Sequence, residues 1–187
     1  GTMATTIDQD ALPLPFVLTP AQMKAYTHQY QGQRFADGRP QVPDTVLERM
    51  RKVTCEQAWT VLRERGYQCQ YQGKWVVTHQ DPVLVGRAVT CNFIPQRPDL
   101  AEVVNQKAKD QGLEGRDKHW VMDRLVRGDV LVADLMDRQI GGGFIGDNLA
   151  NMIYDKTGTG CVVWGGTRDL AGVLELEDFV VFNRNWD

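Results

Sequence analysis

The sequence lacks the residue groupings that mark metal-binding and disulfide-stabilised proteins. It contains three histidines and four cysteines in 187 residues. The cysteines stand singly, without a CxxC pair, at Cys55, Cys69, Cys91 and Cys161. Structural zinc sites and disulfide frameworks need closely spaced ligands or paired cysteines. We therefore expect reduced thiols and neither kind of site.

Excess positive charge and long apolar runs are also missing. The formal net charge is -3, which gives no general attraction for nucleic-acid phosphates. There is no apolar run of 18 residues, and the first ten residues are polar and acidic, unlike a signal peptide. We expect a cytoplasmic protein that binds neither membranes nor nucleic acid directly. Its length fits one domain.

The sequence consists of two segments that meet near residue 50. Five of the eight prolines precede that point, and a short helix is predicted after Thr19-Pro20. Residues 1–50 are predicted to form an N-terminal helical arm that wraps the domain or a neighbouring subunit, with a loose tail as the alternative. Residues 51–187 are predicted to form the domain.

Helix and strand signals then alternate. Thr54 and Gln57 form a capping box for a helix that stops at Gly66. A β-rich stretch covers residues 83–93, and Asp99 is predicted to cap a helix that runs to Gly112. Residues 173–182 are predicted to form another strand, centred on Phe179 to Phe182.

The most informative stretch predicts a β-loop-α-β unit. Residues 130–133 and Cys161–Trp164 are short apolar runs, and a helix that begins at an Asp147 N-cap and ends at Gly158 lies between them. Such a crossover makes the two strands parallel, and parallel β/α units bind ligands beyond the carboxyl ends of their strands. Asp147 is therefore expected to meet Arg168 and Asp169.

The glycine-rich loop before this helix allows three interpretations. Gly141, Gly143 and Gly146 spell GxGxxG, as in dinucleotide-binding loops, but the first glycine comes several residues after the strand. The glycines could instead serve only a tight turn. We favour an anion site formed by main-chain N–H groups at the helix N-terminus. Binding of S-adenosylmethionine for methyl transfer is also considered, but the loop lies far from an N-terminal first strand.

The Arg168-Asp169 pair follows an apolar strand and two glycines, so its side chains are expected to reach a cleft. Arginine can bind a carboxylate through two parallel hydrogen bonds, and aspartate offers a hard oxygen ligand to Mg²⁺ or Mn²⁺. Together they suit a small 2-oxo acid. A surface salt bridge is the alternative for the pair, and a plain helix cap is the alternative for Asp147.

These motifs resemble the signature of the RraA-like family. The likeness rests on Gly146-Asp147-Asn148-Leu149-Ala150 and on Arg168-Asp169, with twenty residues between Asp147 and Arg168. Further blocks occur in the family's order and cover roughly residues 45–182; they begin at Val53-Thr54-Cys55, Val85-Gly86-Arg87 and Gly128-Asp129-Val130. The family includes class II 4-hydroxy-4-methyl-2-oxoglutarate / 4-carboxy-4-hydroxy-2-oxoadipate aldolases and the regulator of ribonuclease E activity.

The resemblance implies an α/β fold, a single-domain layered β/α sandwich of the swivelling β/β/α type with a partly parallel sheet. It also implies a homotrimer or homohexamer with the site at a subunit interface. In such aldolases the residue matching Asp169 binds the metal, the one matching Arg168 holds the 2-oxo acid, and the one matching Asp147 orients a water. The main chain of Gly146, Asp147, Asn148 and Leu149 helps to bind the substrate carboxylate.

Two departures accompany this resemblance. The aldolase signature usually has an acidic residue three positions after the aspartate, where this sequence has Gly172. Relatives usually also continue with further strands, so C-terminal strands of the family are expected to be absent from this sequence.

The sequence thus predicts a divalent-metal-dependent lyase that cleaves a C–C bond in a 2-oxo acid through a metal-stabilised pyruvate enolate. Retro-aldol cleavage and oxaloacetate decarboxylation both fit this chemistry, with Asp147 and Arg168 as catalytic residues. The alternative is a non-catalytic trimeric regulator that binds a ribonuclease or helicase, since an acidic surface can engage a basic partner.

Overall fold

The computed structural model describes residues 17–141 and 143–187. Within these residues the helices are α1 (Pro20–Tyr26), α2 (Asp44–Met50), α3 (Cys55–Glu64), α4 (Pro98–Asp110), α5 (Asp117–Met122), α6 (Asp147–Thr157) and α7 (Leu170–Leu174). The strands are β1 (Val76–Val77), β2 (Arg87–Asn92), β3 (Asp129–Asp134), β4 (Cys161–Trp164), β5 (Gly166–Thr167), β6 (Val181–Asn183) and β7 (Asn185–Trp186).

Contacts divide the chain into two compact units. The first combines residues 17–41 with Pro95–Arg124 and contains α1, α4 and α5. The second combines Val42–Ile94 with Leu125–Asp187 and contains the sheet. The predicted boundary near residue 50 stays a prediction, and residues 1–16 of the predicted arm lie outside the described residues.

In the first unit, arginine side chains hold the turns together. Arg34 donates to the main-chain carbonyls of Thr27, Tyr30 and Gly38, at 2.8 to 2.9 Å. These bonds supply hydrogen-bond donors to carbonyl oxygens of the turns, and the Thr27 carbonyl also accepts from the Tyr30 N–H at 3.0 Å. The helix predicted after Thr19-Pro20 is confirmed, and the Thr19 side chain caps it.

The sheet of the second unit is partly parallel, as the sequence predicts. Among the described strands its order is β1-β6-β4-β3-β2. Strands β2, β3, β4 and β6 run parallel, and the short β1 is antiparallel to β6. A separate pair joins β5 and β7 in parallel. The predicted β3-α6-β4 unit is confirmed.

One face of this sheet forms the core beneath α6. Side chains alternate between the two faces of a strand, so every second residue of neighbouring strands shares a face. Burial follows this period, with complete or nearly complete burial at Val89, Leu131, Ala133, Cys161, Val163 and Val181. Helix α6 contacts β3 and buries Ala150 and Ile153 completely.

Two of the predicted helix ends are confirmed. The Thr54–Gln57 capping box is confirmed at α3. Gly158 ends α6 in the left-handed conformation (φ +65°), which glycine adopts without steric strain.

Three local predictions are wrong. The N-cap of α6 is Gly146 rather than Asp147, and that of α4 is Arg97 rather than Asp99. Residues 173–182 are not one strand, because α7 occupies their first part and β6 begins only at Val181. The glycine at position 146 is favoured by its close contacts, described next, and these contacts depend on tertiary packing.

Candidate functional site

The candidate site lies beyond the carboxyl ends of β3 and β4. These strands are parallel neighbours with Asp134 paired to Trp164, so both chains leave the sheet at the same edge. Residues 135–146 lead from β3 to α6, and residues 165–169 follow β4. The sequence predicts this arrangement from the β-loop-α-β pattern.

Main-chain hydrogen bonds fasten the two loops to each other. The Phe144 N–H donates to the Gly166 carbonyl at 3.1 Å, and the Arg168 N–H donates to the Ile145 carbonyl at 2.9 Å. Gly166 also donates to the Arg138 carbonyl at 2.8 Å. The main chain at Arg168 is therefore fixed relative to the glycine-rich loop.

Two glycines of that loop lie directly against Arg168 and Asp169. A Cβ atom on Gly143 would lie 2.9 Å from the Arg168 Cβ. A Cβ on Gly146 would overlap the Asp169 carboxylate and lie 3.2 Å from the Arg168 Nε. Any larger residue at position 146 would displace the charged pair, so close packing accounts for these glycines.

Arg168 and Asp169 form an open ion pair. Their Nε and Oδ2 atoms are 3.4 Å apart, and the side chains are 60% and 48% exposed. Within residues 17–141 and 143–187 the Arg168 guanidinium has no other ion-pair partner. Its donors and the Asp169 oxygens are consequently accessible to a ligand.

The backbone of Asp169 is strained. Its φ of +58° lies in the left-handed region, which aspartate and asparagine tolerate better than most residues. The Asp169 carbonyl accepts a hydrogen bond from the Val173 N–H at 3.1 Å, which ties this conformation to the start of α7. Such strain concentrates at functional sites in proteins.

Asp147 reaches the same place through Gly146, its neighbour in the chain. Its Oδ1 accepts a hydrogen bond from the Asn148 N–H at 2.7 Å, which fixes the carboxylate orientation. A Cβ on Gly172 would lie 2.8 Å from the Asp147 Cβ, so α7 presses closely on this residue. The structure thus places the Arg168 and Asp169 side chains against Gly146, which Asp147 follows directly in the chain.

The donor set fits a hydrated magnesium ion better than a closed metal cage. Among the described residues, no group of three or more histidine, cysteine, aspartate or glutamate side chains could hold a metal. Mg²⁺ commonly binds through one or two carboxylates while water and substrate complete its coordination. Asp169 can supply that carboxylate.

The C-terminal residue Asp187 contacts both loops of the site, and sequence reasoning missed it. The Asp187 N–H donates to the Thr167 carbonyl at 2.8 Å, and its carboxylate accepts from the Gly141 N–H at 2.9 Å. The sequence pattern carries no signal for these contacts, because they join residues brought together only by the β5–β7 pairing.

The cysteines of the sheet are not part of the site. Cys91 and Cys161 are free thiols. Burial raises the pKa of Cys91 to about 12 and that of Cys161 still further, so both remain protonated at neutral pH. A protonated thiol is neither a strong nucleophile nor a metal ligand.

These features define an α/β protein with an arginine and two carboxylates at the carboxyl edge of a parallel sheet. The chain belongs to the RraA-like family, described as Aldolase/RraA, which matches residues 41–186. The family includes both aldolases and non-catalytic inhibitors of ribonuclease E. The α/β fold with a partly parallel sheet, predicted from the sequence, is confirmed.

Solved structures share this fold. Streptomyces coelicolor RraAS2, described as an unusual member of the RNase ES inhibitor RraA protein family, is 24% identical with a TM-score of 0.63. The match covers 78% of this chain and 65% of RraAS2. A structure described as novel cellulases from microbes of the gut ecosystem is 16% identical with a TM-score of 0.61, covering 88% of this chain and 68% of that one.

An uncharacterized protein from Pseudomonas syringae pv. tomato str. DC3000 is 17% identical with a TM-score of 0.56, over 78% of this chain and 58% of that protein. At these identities the likeness shows the fold alone. No curated protein matches the chain. Among the described residues, no helix combines the length and apolarity needed to cross a membrane.

Proposed function

We propose that the protein is a divalent-metal-dependent lyase that cleaves a C–C bond in a small 2-oxo acid. The observation that carries this proposal is the packing of the Arg168–Asp169 pair against Gly146, which Asp147 follows directly in the chain. The three side chains offer a cation for the substrate carboxylate, an oxygen ligand for a metal and a second carboxylate for proton transfer.

Arg168 binds the substrate carboxylate in this proposal. Its guanidinium can offer two parallel N–H donors, a geometry that matches a carboxylate. The first turn of α6 adds main-chain N–H groups, since the early N–H groups of a helix have no intrahelical acceptor. Of the predicted binding segment Gly146 to Leu149, the Asn148 N–H already donates to Asp147.

Asp169 holds the metal, Mg²⁺ or Mn²⁺. When bound, such an ion supplies Lewis acidity at the 2-oxo group and so favours electron flow away from the breaking C–C bond. Because α7 and Gly146 confine Asp169, its carboxylate stays near the Arg168 guanidinium. The carboxylate and carbonyl of one small 2-oxo acid can then engage both residues.

Asp147 serves the proton transfer. Its Oδ1 is held by the Asn148 N–H, whereas its Oδ2 accepts no hydrogen bond from the part of the chain that the structure describes. That oxygen can orient a water, which takes the hydroxyl proton of an aldol substrate and returns a proton to the product carbon. Such acid–base assistance typically contributes about 10²- to 10⁴-fold.

The test measures pyruvate release from oxaloacetate and from 4-hydroxy-4-methyl-2-oxoglutarate, with Mg²⁺, with Mn²⁺ and with chelator. Asp169→Asn is the informative variant, because asparagine tolerates the left-handed backbone while losing the charge. Metal-dependent turnover should fall by about 100-fold or more, equivalent to about 2.7 kcal/mol of transition-state stabilisation.

Glu175→Gln is the matched control, since this exposed acid ends α7 close to the site in sequence. It should retain turnover within about twofold, as expected for a surface change. Absence of pyruvate release from both substrates with both metals would contradict the lyase. Inhibition of a ribonuclease E digest would then identify the non-catalytic regulator, which is the alternative function.

The proposed assembly is a homotrimer or homohexamer. The exposure of Arg168 and Asp169 in the single chain fits a site that a neighbouring subunit completes. Analytical ultracentrifugation of the purified protein measures the oligomeric state, and a monomer at the assay concentration would contradict this part of the proposal.

A further inference from the structure

We infer that Asn183 is a positioning residue of the candidate site and acts through Thr167 on Arg168. Asn183 ends β6, Thr167 ends β5, and Arg168 follows Thr167 directly. The inference rests on the proposed function in one respect, namely that Arg168 binds an anionic ligand.

The residue before Arg168 makes a buried hydrogen bond. The Asn183 side-chain amide donates to the Thr167 hydroxyl, and both side chains are completely buried. The same amide donates to the Asn185 carbonyl at 3.2 Å. Asn183 therefore links the Thr167 side chain to the first residue of β7.

The main chain of Thr167 is held from the same segment. Thr167 pairs with Trp186 across β5 and β7, and the Asp187 N–H donates to the Thr167 carbonyl at 2.8 Å. The next N–H along the chain, that of Arg168, donates to the Ile145 carbonyl. Thr167 is thus fixed on its side chain and its main chain immediately before the guanidinium-bearing residue.

Asn183 is poorly explained as a packing residue. Its neighbour Val181 fills the sheet core with an apolar side chain, and the same face at position 183 carries an amide. The Asn183 Oδ1 is buried and accepts no hydrogen bond from the described residues. A buried amide with an unsatisfied oxygen destabilises a core, so its contribution has to be the contact that it makes.

Thr167→Val tests this inference because valine keeps the shape of threonine and replaces its hydroxyl with a methyl group. Thr167→Ser is the matched variant that keeps the hydroxyl and loses a methyl group. Asn183→Leu removes the same hydrogen bond from the other side, and thermal unfolding of each variant confirms that it folds.

Amide hydrogen exchange gives a readout that needs no ligand. In Thr167→Val and Asn183→Leu, the Arg168 amide should exchange about tenfold faster or more, because local opening becomes easier. The Cys161 amide, which donates to the Val180 carbonyl at the other end of β4, is the internal reference and should not change. Thr167→Ser should exchange within about twofold of the wild type.

Oxalate binding in the presence of Mg²⁺ gives the second readout. This small dianion should bind about tenfold more weakly to Thr167→Val than to the wild type, with affinity restored in Thr167→Ser. In the lyase assay the same loss should raise KM more than it lowers kcat, since Arg168 binds the substrate carboxylate.

Unchanged Arg168 exchange in both Thr167→Val and Asn183→Leu would overturn the positioning role. Equal oxalate affinity of wild type and Thr167→Val would also overturn it. A wild type with no oxalate affinity would instead overturn the proposed function, and the exchange result would separate these two failures.

Discussion

One arginine–aspartate pair lies at the amino ends of the parallel strands, here called the amino edge of the sheet. Another lies beyond their carboxyl ends, at the carboxyl edge, and the two pairs differ in burial. At the amino edge, Arg87 and Asp129 are 8% and 0% exposed, with Nε and Oδ1 3.2 Å apart. At the carboxyl edge, Arg168 and Asp169 are 60% and 48% exposed at 3.4 Å. The same two residue types therefore serve in opposite environments.

The amino-edge pair is closed by protein groups. Arg87 also donates to the main-chain carbonyls of Val42 and Arg127 and contacts the Asp44 carboxylate. Asp129 accepts a second bond from the Val126 N–H at 3.1 Å. Since these partners satisfy the buried charges, the pair stabilises the fold and offers nothing to a ligand.

No other group within residues 17–141 and 143–187 closes the carboxyl-edge pair in this way, and its aspartate has a left-handed backbone. An exposed ion pair contributes only about 0–1 kcal/mol to stability. The comparison indicates that burial and partner number, rather than residue type, distinguish a structural pair from one available for binding.

The largest effect expected is that of Asp129→Ala on stability. Removing one partner of a buried ion pair leaves an uncompensated charge, and the free energy of unfolding should fall by about 3–5 kcal/mol. Urea denaturation at pH 7 measures this change. Asp155→Ala, at an exposed position of α6, is the control and should change stability by less than about 0.5 kcal/mol. A loss below about 1 kcal/mol for Asp129→Ala would remove the distinction between the pairs.

Gly146→Ala should have the opposite profile, with a large effect on the site and a small one on the fold. The Gly146 backbone is extended (φ -123°), which alanine adopts freely. Its new Cβ would displace the Asp169 carboxylate and the Arg168 Nε. Oxalate affinity with Mg²⁺, measured calorimetrically, should fall about tenfold, equivalent to about 1.4 kcal/mol.

Gly73→Ala is the matched control for this substitution. Its Cβ would meet only the Tyr71 ring at 3.5 Å, an ordinary contact, and Gly73 does not have a positive φ. It should leave oxalate affinity unchanged. If Gly146→Ala behaved in the same way, the open pair would not be confined by the glycine loop.

Gly172→Ala should have a smaller effect, acting on Asp147 alone. Alanine is favoured over glycine within a helix by about 1 kcal/mol, but a Cβ here would lie 2.8 Å from the Asp147 Cβ. We expect the two effects to offset each other in stability. Displacement of Asp147 should lower kcat about threefold to tenfold in the lyase assay, a fraction of the usual acid–base contribution, while KM stays constant. A lowered KM would show that residue 172 acts on substrate binding instead.

Sequence reasoning predicted the part of the site that depends on topology. The alternation of apolar runs at β3 and β4 with the helix α6 places Asp147 near Arg168 in any parallel crossover. It could not predict the contact of Gly172 with Asp147, because that distance depends on how closely α7 packs on α6. The prediction of Asp147 as the N-cap of α6 is wrong for a related reason, because the contacts of Gly146 with Arg168 and Asp169 also depend on tertiary packing.

The amino-edge pair was also beyond sequence reasoning. Arg87 and Asp129 are forty-two positions apart and meet because β2 and β3 align them in register. Neither residue stands out in its own segment, whereas Arg168-Asp169 is conspicuous as a charged dipeptide after an apolar strand. A sequence pattern reveals polar residues that are adjacent in the chain. Polar residues that meet across two strands are revealed only when the register between those strands is known.

The smallest effect expected concerns a third pair, Arg97–Asp99, which is exposed to a similar degree as the carboxyl-edge pair. Its side chains are 59% and 65% exposed and 2.5 Å apart. The hydrogen bond from Arg97 lowers the pKa of Asp99 to about 2. A carboxyl group with a lowered pKa in the folded state stabilises the protein at pH values above its unfolded-state pKa. This contribution is lost as the pH falls towards 2.

Solvent screening should make this contribution small in unfolding experiments. In Arg97→Met, carboxyl resonances followed by NMR should show the pKa of Asp99 rising slightly towards its ordinary value. Linkage ties stability to this pKa, so the thermal midpoint at pH 7 should fall by a correspondingly small amount. Adding 1 M salt to the wild type should move the pKa in the same direction. A clear drop in the thermal midpoint would mean that exposure does not set the strength of an arginine–aspartate pair in this protein, and the contrast between the two sheet edges would need another physical cause.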